Sequence, residues 1–448
     1  MKLLKDVLLI AFVAALCVSA SLFYAVMVNT QQSYGWPMFR ENAEHTGEGT
    51  SKAVLKPKLL WNYTTGGLIA SSPVVVNGVV YIGSADNNVY ALNASNGSSL
   101  WNYSTGGPVY SSAAVINGLV YIGSSDGNIY ALNATKGYKI WNYTTNGPVV
   151  SSPAVVDDAV YIGSEDSNVY ALQATDGVKL WNYTTGGSID SSPAVADGMV
   201  FVGSDDGSVY CLNATNGAYL WNYLTGPIFV WSSPTVVNGV VYFGSDNDNF
   251  YALNATSGIQ VWYYATLGDV GSSPAFANGV VYIGSDDNNV YALNAAKGTR
   301  VWNYTTCLYV GSAPAIADSI VYVGSYDGSL YALNAENGNL LWKYNTGGQV
   351  ASSPAVVNGV VFFGSFNGQV YALAGAPAKS ASLIILIIAP LAVALLIIVS
   401  AVAFKLKRKA RADFTKGVKA EMIKEYMCAS GGSPSPAFTA SGNQSLLA

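Results

Sequence analysis

The sequence is poor in cysteine, histidine and charge. It has four cysteines and one histidine among 448 residues, and only 10% of its residues are charged. Cys17, Cys211, Cys307 and Cys428 show no spacing typical of a disulfide framework, so we expect no disulfides. No serine or cysteine nucleophile motif accompanies His45, which favours a structural role for this histidine over a catalytic one.

The few charges are unevenly distributed along the chain. Residues 29–380 carry 11 Lys/Arg and 22 Asp/Glu, whereas the two ends together carry 10 Lys/Arg and 4 Asp/Glu. An acidic central region argues against a nucleic-acid partner, because such a partner requires a basic face. With 51% apolar residues, 46 glycines and 31 tyrosines, the chain has the composition of an all-β fold.

Two apolar runs flank the central region. The short N-terminus 1–6 precedes the run 7–29, and the run 380–404 is followed by the basic tail 405–448. Each run exceeds the ~20 residues that a membrane-spanning helix needs. Because basic residues lie on the outer side of both, we expect cytoplasmic termini and an extracytoplasmic central region in the cell membrane.

The ends of the chain have further predicted features. Val18-Ser19-Ala20 resembles a signal-peptidase site, so cleavage of the first run remains an alternative to its retention as a transmembrane helix. Residues 375–379 are a linker. The tail after Phe404 is predicted to begin as a short basic helix and then to become disordered, because Ser, Gly and Pro dominate 430–435.

A repeat of about forty residues occupies the central region. Each unit contains four short β-strands, and Asn-Gly or Asp-Gly pairs between the first and second strands predict two-residue hairpins. We therefore predict an all-β fold, an eight-bladed β-propeller of four-stranded blades over 59–374. One tryptophan marks the fourth strand of each blade: Trp61, Trp101, Trp141, Trp181, Trp221, Trp262, Trp302 and Trp342.

The strand count indicates how the ring closes. The eighth unit ends at Leu373 without a fourth strand, whereas an unpartnered fourth strand, 59–65, precedes the first unit. We expect this N-terminal strand to complete the last blade, because closure removes open sheet edges. Residues 30–58 then form an opening segment ahead of the ring, and the propeller is expected to be monomeric.

The repeat resembles the pyrroloquinoline-quinone (PQQ) repeat. The resemblance rests on the pattern G-S-x-D-G-x-x-Y-A-L-x-A-x-x-G-x-x-x-W at 123–141, and 36–47 looks like the segment that often opens such propellers. It implies a tryptophan that docks against the neighbouring blade. It also implies, as an alternative function, a quinoprotein dehydrogenase that holds PQQ and calcium near the channel mouth.

The sequence departs from the dehydrogenases of that family. It has no adjacent cysteine pair, and no Lys or Arg in the loops joining fourth to first strands to hold the carboxylates of the quinone. We therefore expect neither PQQ nor calcium, no catalytic residue and no metal site. The recurring turn acids favour turn formation over calcium binding: Asp86, Asp126, Asp166, Asp206, Asp287 and Asp327.

The loops joining fourth to first strands vary where the rest of the unit does not. We predict that they bind a cell-surface protein or glycan, with channel filling as the alternative. A passive component of the cell envelope is the third possible function. The candidate ligand-binding residues are Tyr110, Asp190, Phe229, Trp231, Asp269 and Tyr309.

Asn-x-Ser/Thr sequons recur in the repeats. An extracytoplasmic location makes them candidate N-glycosylation sites, although duplication of one unit explains their number equally well. They are Asn62, Asn93, Asn96, Asn102, Asn133, Asn142, Asn182, Asn213, Asn254 and Asn303.

Overall fold

The protein is an eight-bladed β-propeller in a computed structural model that describes residues 35–375 and 403–425. Eight sheets each contain four strands of the repeat, and one of them gains a short fifth strand. The predicted all-β architecture is thereby confirmed. Both predicted membrane runs, 7–29 and 380–404, lie outside the described residues, apart from 403 and 404. Within 35–375 and 403–425, no helix combines the length and the apolar character needed to cross a bilayer.

The strands follow the repeat closely. Two strands precede the first unit: β1 (Glu48–Gly49) and β2 (Lys58–Thr64). Blades 1 to 4 are β3 (Val74–Val76), β4 (Val79–Gly83), β5 (Asn88–Asn93), β6 (Ser99–Ser104); β7 (Ala114–Ile116), β8 (Leu119–Gly123), β9 (Asn128–Asn133), β10 (Lys139–Thr144); β11 (Ala154–Val156), β12 (Ala159–Gly163), β13 (Asn168–Gln173), β14 (Lys179–Thr184); and β15 (Ala194–Ala196), β16 (Met199–Gly203), β17 (Ser208–Asn213), β18 (Tyr219–Leu224).

The remaining blades have the same order of strands. Blades 5 to 8 are β19 (Thr235–Val237), β20 (Val240–Ser245), β21 (Asn249–Asn254), β22 (Gln260–Ala265); β23 (Ala275–Ala277), β24 (Val280–Gly284), β25 (Asn289–Asn294), β26 (Arg300–Thr305); β27 (Ala315–Ala317), β28 (Ile320–Gly324), β29 (Ser329–Asn334), β30 (Leu340–Asn345); and β31 (Ala355–Val357), β32 (Val360–Gly364), β33 (Gln369–Ala374). Outside the propeller, helix α1 covers residues 403–425.

The first strands are shorter than the sequence suggests. The stretch Ser-Ser-Pro-Val-Val-Val at 71–76 predicts the first strand of blade 1, but β3 begins at Val74, directly after Pro73. Proline has no N–H to donate to a ladder, so the strand starts beyond it. The serine before the proline bonds to the next blade instead: the Ser72 N–H donates to Ser112 Oγ at 2.9 Å.

Seven of the eight blade tryptophans link their blade to the next one, as the family resemblance implies, whereas Trp342 of blade 7 donates to the carbonyl oxygen of Val54 in the opening segment. Trp101 Nε1 donates to the carbonyl oxygen of Ala134 in the next blade at 2.9 Å. A Cβ added at Gly137 would lie 2.6 Å from the Trp101 ring, and Gly137 has φ +74°. Steric contact and backbone conformation together therefore explain why a glycine occupies the turn between the third and fourth strands of each blade that has this turn.

The N-terminal strand closes the ring, as predicted. β2 pairs antiparallel with β33, giving the order β2-β33-β32-β31 in blade 8. Trp61 Nε1 donates to the carbonyl oxygen of Ala94, so blade 8 is linked to blade 1 by the same kind of bond that links each of blades 1 to 6 to the blade after it. Closure leaves no unpaired outer edge between the first and last units.

The first strands line the channel, where the prolines in the sequence predict an open edge, but the first strands of blades 1, 2 and 4 to 7 are paired there. The opening segment runs around the channel and accepts hydrogen bonds from successive blades. Val75 N–H donates to Trp36 O at 2.9 Å, and Ile316 N–H donates to Gly47 O at 2.8 Å. β1 also pairs in parallel with β27. The segment therefore satisfies backbone donors that the sequence pattern left without partners.

Candidate functional site

The two faces of the propeller differ in charge. One face, the mouth face, consists of the second–third turns and the fourth-to-first loops; the base face carries the other turns. The mouth face has no Lys or Arg but has 13 of the 22 acids of 29–380: Asp86, Asp126, Glu165, Asp166, Asp190, Asp205, Asp206, Asp246, Asp248, Asp269, Asp286, Asp287 and Asp327. A face with charge of one sign attracts ligands of the opposite charge.

Backbone hydrogen bonds set two variable positions of each blade side by side at the mouth. The first residue after the conserved turn serine donates its N–H to a carbonyl of the preceding loop. Asp286 N–H donates to Asp269 O at 2.9 Å, and Tyr326 N–H donates to Tyr309 O at 3.0 Å. The repeat backbone is therefore a constant frame on which these two residue positions determine the surface chemistry.

Exposed aromatic side chains project from the loop that precedes blade 5. Phe229 and Trp231 are 44% and 47% exposed, and their rings stack at 5.2 Å with an interplanar angle of 9°. Trp231 Nε1 donates to Asp205 Oδ1 at 3.0 Å, which orients the indole beside a carboxylate. This loop contains the one-residue insertion of the repeat, so the additional residue lies where the loop presents two rings to solvent.

A second aromatic group lies at blades 7 and 8. Tyr309 stacks on Tyr326 at 4.2 Å, and Tyr326 meets Phe366 edge-on at 5.9 Å. A Cβ at Gly311 would come within 2.9 Å of the Tyr326 ring, so this small residue leaves room for the stack. Large rigid aromatic surfaces of this kind are frequent anchors in protein recognition.

Carboxylates that repel one another lie on the mouth face near the two aromatic groups. Burial, with repulsion from Asp205 and Glu165, raises the pKa of Asp190 to about 7. Burial, with repulsion from Asp269, Asp286 and Asp205, raises the pKa of Asp246 to about 7. One oxygen of each, Asp190 Oδ1 and Asp246 Oδ1, is buried without a hydrogen-bond partner. A cationic group at the mouth would relieve both the repulsion and the unpaired oxygens.

The conserved turn acids behave differently, and they are structural. Asp126 Oδ2 accepts the Tyr130 hydroxyl at 2.7 Å and Asp126 Oδ1 accepts the Asn128 N–H at 2.9 Å. Burial raises the pKa of Asp126, but these hydrogen bonds outweigh it and hold the pKa below its usual range. Blades 5 and 8 have an amide at this position, Asn247 and Asn367, each bonded to the equivalent tyrosine. These contacts account for the recurrence of the acid without a metal ion.

All six predicted ligand-binding residues lie on the mouth face. Phe229 and Trp231 contact each other, and Asp190 lies within electrostatic range of the Asp205 that Trp231 contacts. Tyr110 is 38% exposed in the loop before blade 2. Their role in binding remains a prediction.

Sequence reasoning missed the neighbouring residue column in the second–third turns. It contains Glu165, Asp205, Asp246, Asp286, Tyr326 and Phe366, beside small residues in blades 1 and 2. The signal was present as a variable position directly before the conserved turn acid. The sequence alone does not show that this position faces the variable loops; the hydrogen bonds described above place it beside them.

The buried histidine and arginine lie in the channel rather than at the mouth surface. His45 Nδ1 lies 3.0 Å from Pro234 O, and burial together with nearby Arg40 lowers the pKa of His45 to about 3. Arg40 is 3% exposed and donates to the carbonyl oxygens of His45 and Ser273. Burial lowers the pKa of Arg40 to about 9. Both side chains anchor the opening segment, which agrees with the structural role predicted for His45.

Apart from Asn96, which lies in the turn after β5, the sequon asparagines fall into two structural groups. Those of the fourth strands are exposed, and Asn142 Nδ2 donates to Asn128 Oδ1 at 2.9 Å. Those that end the third strands cap the following turn, as when Asn133 Oδ1 accepts the Thr135 N–H at 3.1 Å. Glycosylation of either group remains a prediction.

A family model described as outer membrane protein assembly factor BamB matches residues 56–152, 146–236 and 225–381. The chain belongs to this BamB-like family of PQQ-repeat propellers. Its matched region extends from just before β2 to just beyond β33, so it covers the whole ring. No curated protein sequence matches the chain.

Solved structures of BamB-like and quinoprotein propellers share the fold. BamB from Moraxella catarrhalis is 20% identical, with a TM-score of 0.63, covering 71% of this chain and 99% of that one. Quinohemoprotein alcohol dehydrogenase from Comamonas testosteroni is 16% identical, with a TM-score of 0.67 and coverages of 78% and 82%. A europium-containing methanol dehydrogenase is 15% identical, with a TM-score of 0.68 and coverages of 77% and 98%. At these identities the likeness shows the fold alone.

The mouth of this BamB-like propeller does not fit PQQ and its metal ion. The quinone carries carboxylates, and a mouth lined by acids without Lys or Arg would repel them. Within the part of the chain that the structure describes, no three His, Cys, Asp or Glu side chains converge closely enough to hold a metal ion.

Proposed function

We propose that the protein is a membrane-anchored, extracytoplasmic propeller that binds other proteins, without catalysis, at its mouth face. The observation that carries the proposal is the combination of unpaired carboxylates with exposed aromatic rings at one end of the channel. Such a surface suits an extended protein segment rich in Lys or Arg, since the acids attract its charges and the rings pack against its stems. Both stacked groups, Phe229/Trp231 and Tyr309/Tyr326, flank the acids.

The alternative functions account for fewer of the features of the mouth face. A glycan ligand would use the aromatic rings but not the repelling acids. A passive envelope component requires neither feature. For a quinoprotein dehydrogenase, the same acids would oppose the cofactor rather than hold it. The anchor and the extracytoplasmic location rest on the apolar runs 7–29 and 380–404 and on the basic residues outside them.

Peptide binding tests this function. We expect the protein to bind a lysine-rich extended peptide, and not a glutamate-rich peptide of equal length, with an affinity that falls as salt is added. Trp231→Ala is expected to weaken binding about tenfold, because it removes a ring that orients Asp205 and packs on the ligand. Isothermal titration calorimetry of wild type and Trp231→Ala with each of the two peptides measures the effect.

The control is an exposed aromatic residue on the base face. Tyr219 is 51% exposed at the start of β18, so Tyr219→Ala removes a comparable ring far from the mouth. We expect unchanged peptide affinity in this variant. Equal losses in both variants, or equal binding of the two peptides, would contradict the proposed site.

A further inference from the structure

Helix α1 has an apolar stripe that is exposed among the residues that the structure describes. Phe414, Val418 and Met422 recur every four residues and therefore lie along one side of the helix. They are 73%, 42% and 66% exposed. Large apolar side chains that share a helix side and remain exposed mark an interaction surface.

The opposite side of α1 is basic. With 100° of rotation per residue, Lys409 and Lys416 lie across the helix from Val418, whereas Lys419 lies at the flank, about 100° from it. Lys407 and Arg411 lie on the same side as the stripe, from which their long side chains can reach the headgroups. Residues 403–425 contain eight Lys/Arg and three Asp/Glu, which makes this helix the most cationic segment of the chain. An apolar stripe with a cationic opposite side is typical of helices that lie in the plane of an anionic lipid surface.

We propose that α1 is an interfacial helix, which lies along an anionic bilayer with Phe414, Val418 and Met422 in the lipid and the lysines at the headgroups. The position of the helix in the chain favours a bilayer over a protein partner. The described part of α1, 403–425, directly follows the apolar run 380–404 in the sequence, so this helix would lie at the membrane surface. The inference rests on the proposed membrane anchor but not on the proposed ligand at the mouth.

Two labelled positions on opposite sides of α1 test this inference in the full chain. In a background with Cys17, Cys211, Cys307 and Cys428 replaced, Val418→Cys and Lys416→Cys each receive an environment-sensitive fluorophore. The proteins are reconstituted in vesicles of phosphatidylcholine and phosphatidylglycerol that contain a nitroxide-labelled lipid. We expect quenching to be about twofold or more stronger at 418 than at 416, because only the stripe enters the lipid.

Two further arms identify the source of binding. Replacing phosphatidylglycerol with phosphatidylcholine, or changing Lys409, Lys416 and Lys419 to Gln with the label at 418, is expected to reduce quenching at 418. Equal quenching at the two positions in anionic vesicles would overturn the proposal, and so would a chain that does not associate with vesicles. Peptide titration of the same samples in detergent measures binding at the mouth face separately. A failure of α1 to bind lipid can therefore be distinguished from a failure of the mouth face to bind peptide.

Discussion

A chain that begins at Gly66 is expected to lose the folded monomer. Removing residues 35–65 deletes β2, which forms six paired positions with β33, and it deletes the Trp61 bond to blade 1. It also removes the opening segment from the channel. The buried side chains lost, among them Trp36, Val54 and Trp61, each contribute about 1.5–3 kcal/mol by leaving water. Their sum is comparable to the ~5–15 kcal/mol stability of a typical domain.

The exposed edge of β33 adds a second effect. Val370, Ala372 and Leu373 are fully buried in the closed ring, so an unpaired β33 would present an apolar edge to other chains. We expect aggregation of the 66–375 chain in light scattering, and a cooperative melt of the 35–375 control. Adding a synthetic 35–65 peptide during refolding is expected to restore the monomer. A monomeric 66–375 chain with an unchanged melting temperature would show that β2 does not close the ring.

Replacing the two carboxyls of raised pKa is expected to stabilise the protein at alkaline pH. The folded protein holds a proton on Asp190 and on Asp246 up to a pKa of about 7, whereas the unfolded chain releases it near pH 4. The native state therefore binds more protons than the unfolded state between these values, and stability falls as the pH rises from about 4 through about 7. Asparagine at both positions removes this loss.

The expected result is a melting temperature about 2–4 °C higher at pH 8 for Asp190→Asn/Asp246→Asn, with little difference from wild type at pH 4. The gain is modest because both carboxyls retain contact with solvent, which screens the repulsion. Asp126→Asn is the control of opposite sign, since the lowered pKa of Asp126 contributes stability that is present above its unfolded value and lost towards acid pH. A double variant that is less stable than wild type at pH 8 would show that the two carboxylates are not repelled.

The proton on these carboxyls also makes ligand binding depend on pH. A cationic peptide requires ionised acids, so its affinity is expected to rise between pH 6 and 8 in wild type and to change less in the double asparagine variant. Stability and affinity then respond to pH in opposite directions. This opposition is typical of a charged site whose repulsion a ligand relieves.

Much of the fold could be predicted from the sequence because each repeat encodes its own turns. Asn77 and Gly78 have φ values of +51° and +76°, as the Asn-Gly hairpin requires. The repeat pattern also shows that the last unit lacks a fourth strand after Leu373, and this predicted its completion by β2. The path of the opening segment could not be predicted, because its bonds to blades 1, 2 and 4 to 7 join backbone groups far apart in the chain.

The candidate site was predicted only in part. Variation among the loops indicated Phe229 and Trp231, which the structure stacks together at the mouth. Asp205 and Tyr326 escaped notice because each is one variable residue in a turn, and residue type alone does not show which surface it faces. The shared mouth face arises from the hydrogen bonds between turn and loop, which are a property of the assembled blade.

Charge reversal at the mouth tests the central claim most directly. Glu165→Lys, Asp269→Lys and Asp286→Lys change acids that retain solvent exposure, so the variant is expected to remain folded. Calorimetric titration with lysine-rich and glutamate-rich peptides then measures the preference of each protein. We predict that wild type binds the lysine-rich peptide and that the triple variant binds the glutamate-rich one. An unchanged preference in a folded triple variant would contradict a protein-binding site built from the mouth acids.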